Sequence, residues 1–90
     1  MSNTEAEIRS RLAVLSPLHL HLQNDSHLHI GHAGNTGGGH FSLVIVSATF
    51  EGQSRINRQR LVKNALADLF PTRIHALSIK ALTPREHLQS

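Results

Sequence analysis

HFSLVIVS, residues 40–47, is the stretch that decides how this ninety-residue chain folds. Around Leu43 to Val46 both alternating faces are apolar and β-branched, the pattern of a strand covered on both sides, so it belongs in the middle of a sheet. Downstream, Phe50-Glu51-Gly52-Gln53 reads as a turn and Ser54 as a helix cap. Val62, Ala65, Leu66 and Leu69 then recur at i, i+3, i+4 and i+7, which predicts an amphipathic helix ending before Pro71. RIHALSIK, 73–80, reads as a further strand. Thr83-Pro84-Arg85-Glu86 opens a short terminal helix with a capping threonine, proline at the first position and glutamate at the third. Upstream, Asn24 to Gly39 holds five of the six glycines among Asn, Asp and Ser, and predicts a long irregular connection. Before it, Leu18, Leu20 and Leu22 alternate with His19, His21 and Gln23 as in a half-buried strand with its histidines outward. Ser16-Pro17 stops a first helix from Thr4 to Leu15, marked by Ile8, Leu12 and Leu15 and by a Thr4–Glu7 capping box.

The resulting order is α-β-β-α-β-α. The helix between the second and third strands is long enough for a crossover, so those strands are expected to be parallel, and the first two antiparallel. A chain of this length suits one mixed α/β (α+β) domain spanning 1–90, with a flexible His/Gly-rich loop at 25–39.

Composition narrows the function. The formal net charge is +3, and there are eight histidines and no cysteine. Imidazole supplies neutral metal ligands and proton chemistry. Sulfur ligands for a thiophilic centre would have to come from a partner or a small thiol. The absence of disulfides, of an apolar leader core and of any run approaching the roughly 20 residues that span a bilayer leads us to expect a cytoplasmic protein without membrane contact. With no Trp or Tyr and only three Phe, a base-stacking RNA platform is disfavoured.

His19, His21, His27, His29 and His32 crowd near the N-terminus. His27-x-His29-x-x-His32 has ligand spacing for zinc, although a glycine-rich loop makes a poor structural site. His40, at the mouth of the central strand, is read as structural or as support for a ligand. His75 read alone is better explained as capping or filling the sheet through a hydrogen bond to backbone. Arg55, Arg58, Arg60 and Lys63 form a basic run on the second helix that can meet DNA phosphates or an acidic surface, or simply be solvated. Gly34-Asn35-Thr36-Gly37 matches the GxxG clamp of KH domains but lies between strands, so it is read as a chance match. Ser42, Ser47 and Ser54 lack an evident base and orienting carboxylate, so no enzyme is expected.

Several blocks in order, HFSLVIVS at 40–47, FEGQSRINRQRLVK at 50–63, IHALSIK at 74–80 and TPRE at 83–86, with DSHLHIGHAG at 25–34, closely resemble the BolA family. The resemblance implies a class II KH-like fold with a three-stranded mixed sheet packed on helices. It also implies partnership with a monothiol glutaredoxin in iron–sulfur cluster and iron handling and, for some bacterial members, transcription regulation through DNA binding. In such complexes a [2Fe-2S] cluster is shared with the glutaredoxin and glutathione. The resemblance carries the ligand role to His75 and to a loop histidine, His29 best, with His27 and His32 as alternatives. It implies no tightly bound cofactor in the isolated chain, a monomer alone and a heterodimer or larger complex on cluster binding. One position departs: Arg58-Gln59-Arg60 stands where the family usually has Arg-His-Arg.

Overall fold

The computed structural model describes residues 4–25, 39–70 and 72–89. The elements are α1 (Thr4–Leu12), a 3-10 turn (Ala13–Leu15), β1 (His19–Asn24), β2 (Gly39–Val46), a 3-10 turn (Ala48–Phe50), α2 (Arg55–Ala65), a 3-10 turn (Ala67–Leu69), β3 (Ile74–Leu82) and α3 (Pro84–Gln89). The strands form one sheet in the order β1-β2-β3, with β1 antiparallel and β3 parallel to β2. This is the mixed α+β architecture and strand arrangement expected from the pattern.

One face of the sheet carries the core. Phe41, Leu43 and Ile45 of β2 meet Ile8 and Leu12 of α1, Val62 of α2, Leu66 at its C-cap, and Phe50. Leu20 and Leu22 of β1 and Leu77 and Ile79 of β3 pack against the same cluster from the two edges. The opposite face carries His19, His21 and Gln23 from β1, then His40, Ser42 and Val44 from β2, as the period of two demands. The helices α1 and α2 cover only the apolar side.

Local chemistry sets the boundaries. The Ser54 hydroxyl accepts from the Asn57 amide at 3.1 Å and caps α2. Glu51 (φ −66°, ψ 134°) and Gly52 (φ 77°) make a type II turn closed by the Gln53 amide on the Phe50 carbonyl at 3.0 Å. At α3, Thr83 and Glu86 form a reciprocal capping box, with bonds of 2.9 and 3.2 Å. The first helix is shorter than expected, because its last three residues tighten into a 3-10 turn that Ser16 ends in the left-handed region at φ 49°. Thr4 and Glu7, the residues of the expected capping box, engage a distant partner. The Glu7 carboxylate ion-pairs with Arg73, and the Thr4 hydroxyl accepts from Arg73 Nε at 3.4 Å. The second helix likewise passes into a 3-10 turn after Ala65, and β3 runs two residues beyond Lys80 to the buried Ala81 and Leu82.

The edge of β3 is closed by α2. Gln59 Nε2 donates to the Ile79 carbonyl at 2.9 Å, and Arg58 Nη1 to the Ala81 carbonyl at 3.2 Å. These two carbonyls, two residues apart on an outer strand, are groups that an open edge would offer to another chain. Gln59, the residue that departs from the family pattern, therefore has a structural role of its own.

Candidate metal centre

The spacing of β3 contains an irregularity that shapes the site. Gly39 pairs with Ile74, yet His40 pairs with Ala76, leaving His75 as an extra residue at a bulge. Ile74 is fully buried and Leu77 packs on the core, so two residues, His75 and Ala76, separate inward positions where a regular strand would allow one. The bulge thus turns His75 out to solvent. Its ring lies against that of His40, with centroids 5.3 Å apart and planes tilted by 46°. Gly39 permits this arrangement: a Cβ there would stand 2.3 and 2.8 Å from Cε2 and Cζ of the buried Phe41 ring.

Beside the pair, Asp25, His40, Phe41, Ser42, Ala76, Leu77 and Ser78 line a shallow hollow of about 350 Å³. The Ser42 hydroxyl donates to Asp25 Oδ2, and the Asp25 amide to the His40 carbonyl at 2.7 Å, so the end of β1 is tied to the start of β2. Two imidazoles on one metal, with bonds of about 2.0–2.1 Å at a tetrahedral angle, have centroids about 5 Å apart. The centroid separation of His40 and His75 is of that size, on backbones fixed by the sheet.

His27, His29 and His32, the zinc-like spacing they form and the 34–37 GxxG all lie outside the described residues. Among the described residues no three His, Asp or Glu side chains converge as a metal cluster. His40, read from the sequence as structural or as support for a ligand, is the residue that the fold brings against the His75 ring. Its signal was present: Ile74 and Leu77, both apolar and three apart, break the period of two and mark a bulge opposite Gly39-His40.

The basic run is corrected at one position. Arg55, Arg60 and Lys63 are exposed on α2, but Arg58 is only 8% exposed. Its guanidinium donates to the Gln53 carbonyl at 3.0 Å and to Glu86 at 2.6 and 3.3 Å, so it is committed inside the fold and cannot meet a phosphate. Donation from Arg58, with the Thr83 amide adding to it, holds the Glu86 carboxyl down at about 2. No helix among the described residues is long and apolar enough to cross a membrane.

A family model described as BolA-like protein matches residues 12–86. BolA-like protein 1 of Homo sapiens is 45% identical over 84 residues, covering 91% of this chain and 59% of that protein. SufE-like protein 1, chloroplastic/mitochondrial, of Arabidopsis thaliana is 42% identical over 78 residues, covering 80% of this chain and 21% of that protein. The chain therefore spans less than two thirds of either relative. Among solved structures, the BolA domain of SufE1 from Arabidopsis thaliana matches with a TM-score of 0.81 at 40% identity, covering 96% of this chain and 98% of that one. The solution structure of BolA1 from Mus musculus matches with a TM-score of 0.80 at 40% identity, covering 99% and 72%.

Proposed function

The chain belongs to the BolA-like protein family, and from that membership we propose that it is an adaptor that binds a monothiol glutaredoxin and shares a [2Fe-2S] cluster with it, acting in iron–sulfur cluster assembly and trafficking and in iron homeostasis. The observation that carries this reading is the exposed His75 imidazole, turned outward by a bulge on a paired strand and braced by the His40 ring. The donor set fits half of such a site: imidazoles are present and thiolates are not, so the partner's cysteine and glutathione complete it. When bound, the cluster supplies one-electron chemistry and transferable iron, and imidazole in place of thiolate raises its potential.

This chain's own residues divide the work. His75 presents a nitrogen from a paired strand, His40 limits the tilt of its ring, and a loop histidine, His29 with His27 and His32 as alternatives, supplies the second donor. The reading requires a reducing compartment, which we assign as the cytoplasm, and involves no catalysis by the chain itself. It is tested by anaerobic reconstitution with a monothiol glutaredoxin and glutathione. The wild-type heterodimer should have a visible spectrum distinct from that of the glutaredoxin alone, and His75→Ala should abolish the distinction. If the wild-type spectrum matches the glutaredoxin homodimer, the ligand role is wrong.

A second reading, a DNA-binding regulator of transcription, rests on the exposed Arg55, Arg60 and Lys63 of α2. Three phosphate contacts give log K against log salt a slope of about −2.7 per domain. Replacing Arg60 and Lys63 by alanine should leave about a third of it, and a slope that does not change excludes this face.

A further inference from the structure

A second pair of histidines lies at the far end of the same outer sheet face. His19 opens β1 opposite Val46 of β2, and His87 reaches it from α3. Their ring centroids are 4.9 Å apart, with planes tilted by 40°, so the rings are not stacked face to face. Both residues are exposed. Leu18, Val46, Pro84 and Leu88 join them around a largely apolar hollow of about 190 Å³.

We propose that His19 and His87 form a binding site for a divalent transition metal ion of the zinc type, which clips α3 to β1. The separation suits the purpose, since two imidazoles bound to one tetrahedral zinc have centroids about 5 Å apart. The ligand chemistry suits it as well: neutral imidazole is a good donor to zinc, copper and nickel, and hydration of the ion competes less well inside an apolar rim. Each ring needs one nitrogen for the metal, and the other stays available for an orienting hydrogen bond. Among the described residues no third His, Asp or Glu converges there. The site is therefore a two-imidazole clip whose remaining coordination positions are open to water, and the ion exchanges readily.

The consequence falls on α3. Six residues are too few to hold a helix without tertiary support. The support observed on its inner side is the Glu86 carboxylate on Arg58 and the Thr83 cap. On its outer side Leu88 is 85% exposed and buries little. A metal bridge from His87 to His19 joins positions far apart in sequence and adds a tether on that side. This inference stands apart from the cluster reading, which uses neither residue.

The test uses the full chain carrying His27→Asn, His29→Asn and His32→Asn, so that loop imidazoles do not compete, titrated with zinc chloride and followed by NMR of the histidine rings and by amide exchange. The His19 and His87 ring signals should shift together, and exchange of the α3 amides should slow as the site fills. His19→Asn or His87→Gln should each weaken zinc binding there at least about tenfold. Both residues are exposed, so the variants should fold, as the unchanged amide spectrum of β2 would verify. Zinc-induced shifts confined to His40 and His75, or α3 exchange that is unchanged at saturating zinc, would overturn the proposal.

Discussion

The two histidine pairs occupy one sheet face about 20 Å apart, the length of six residues of β2 at roughly 3.3 Å each, and they are built in opposite ways. His40 and His75 stand on adjacent paired strands, and their approach is set by a bulge that the sheet itself holds. His19 and His87 meet because a six-residue helix folds back over the face. The first pair persists as long as the sheet does. The second depends on the side-chain contacts that anchor α3, and Arg58 is the centre of those. A ligand for a shared cluster gains from a rigid mount, whereas a clip on a terminal helix gains from a mount that can open.

The sharpest way to break the first end is Gly39→Ala. The new Cβ falls 2.3 Å from a ring atom of Phe41, which is buried and has little room to turn, so we expect a loss of about 2–3 kcal/mol. In calorimetry this should lower Tm by about 4–8 °C for each kcal/mol in a domain of this size. Ring shifts should appear at His40 and His75 and leave His19 and His87 in place; shifts at both ends would erase the distinction. Arg58→Ala tests the other end. It removes the Arg58 donor from the Gln53 and Ala81 carbonyls and leaves the Glu86 carboxylate with the Thr83 amide alone, and should cost about 1–2 kcal/mol. Exchange should speed up in α3 and hardly at all at the bulge.

The mildest probe is pH. The Glu86 carboxyl is lowered from 4.5 to about 2 when folded. Its contribution is therefore fully present above pH 4.5 and is lost as the pH falls from 4.5 through about 2. As the pH falls through that window, the protection of the α3 amides relative to their intrinsic exchange rates should drop, and Glu86→Gln should flatten the dependence. Equal acid sensitivity at α3 and β2 would place the weak point elsewhere.

The regular elements were legible because their signals are local. Leu20 and Leu22 alternate, Ser54 and Thr83 are caps in sequence, and Val62 with Leu66 marks one helix face. The short α1 and the divided end of α2 were not legible, since i+3 and i+4 spacing cannot distinguish an α-helix from a closing 3-10 turn. Arg58 was misread for a different reason: a basic run shows charge, while burial and the Glu86 partner 28 residues away are properties of the folded chain. His40 was seen as a strand residue near a ligand, but its contact with His75 depends on a bulge between residues remote in sequence.

From the amino-acid order alone came the family resemblance, the α-β-β-α-β-α succession, the direction of the strands and the lack of any thiolate of the chain's own, because periodicity, caps and composition are carried by neighbouring residues. Tertiary structure decided which imidazoles meet, which arginine is removed from the surface and what anchors the last helix. Those outcomes depend on register and packing, where a displacement of one residue along β3 would turn His75 from solvent into the core.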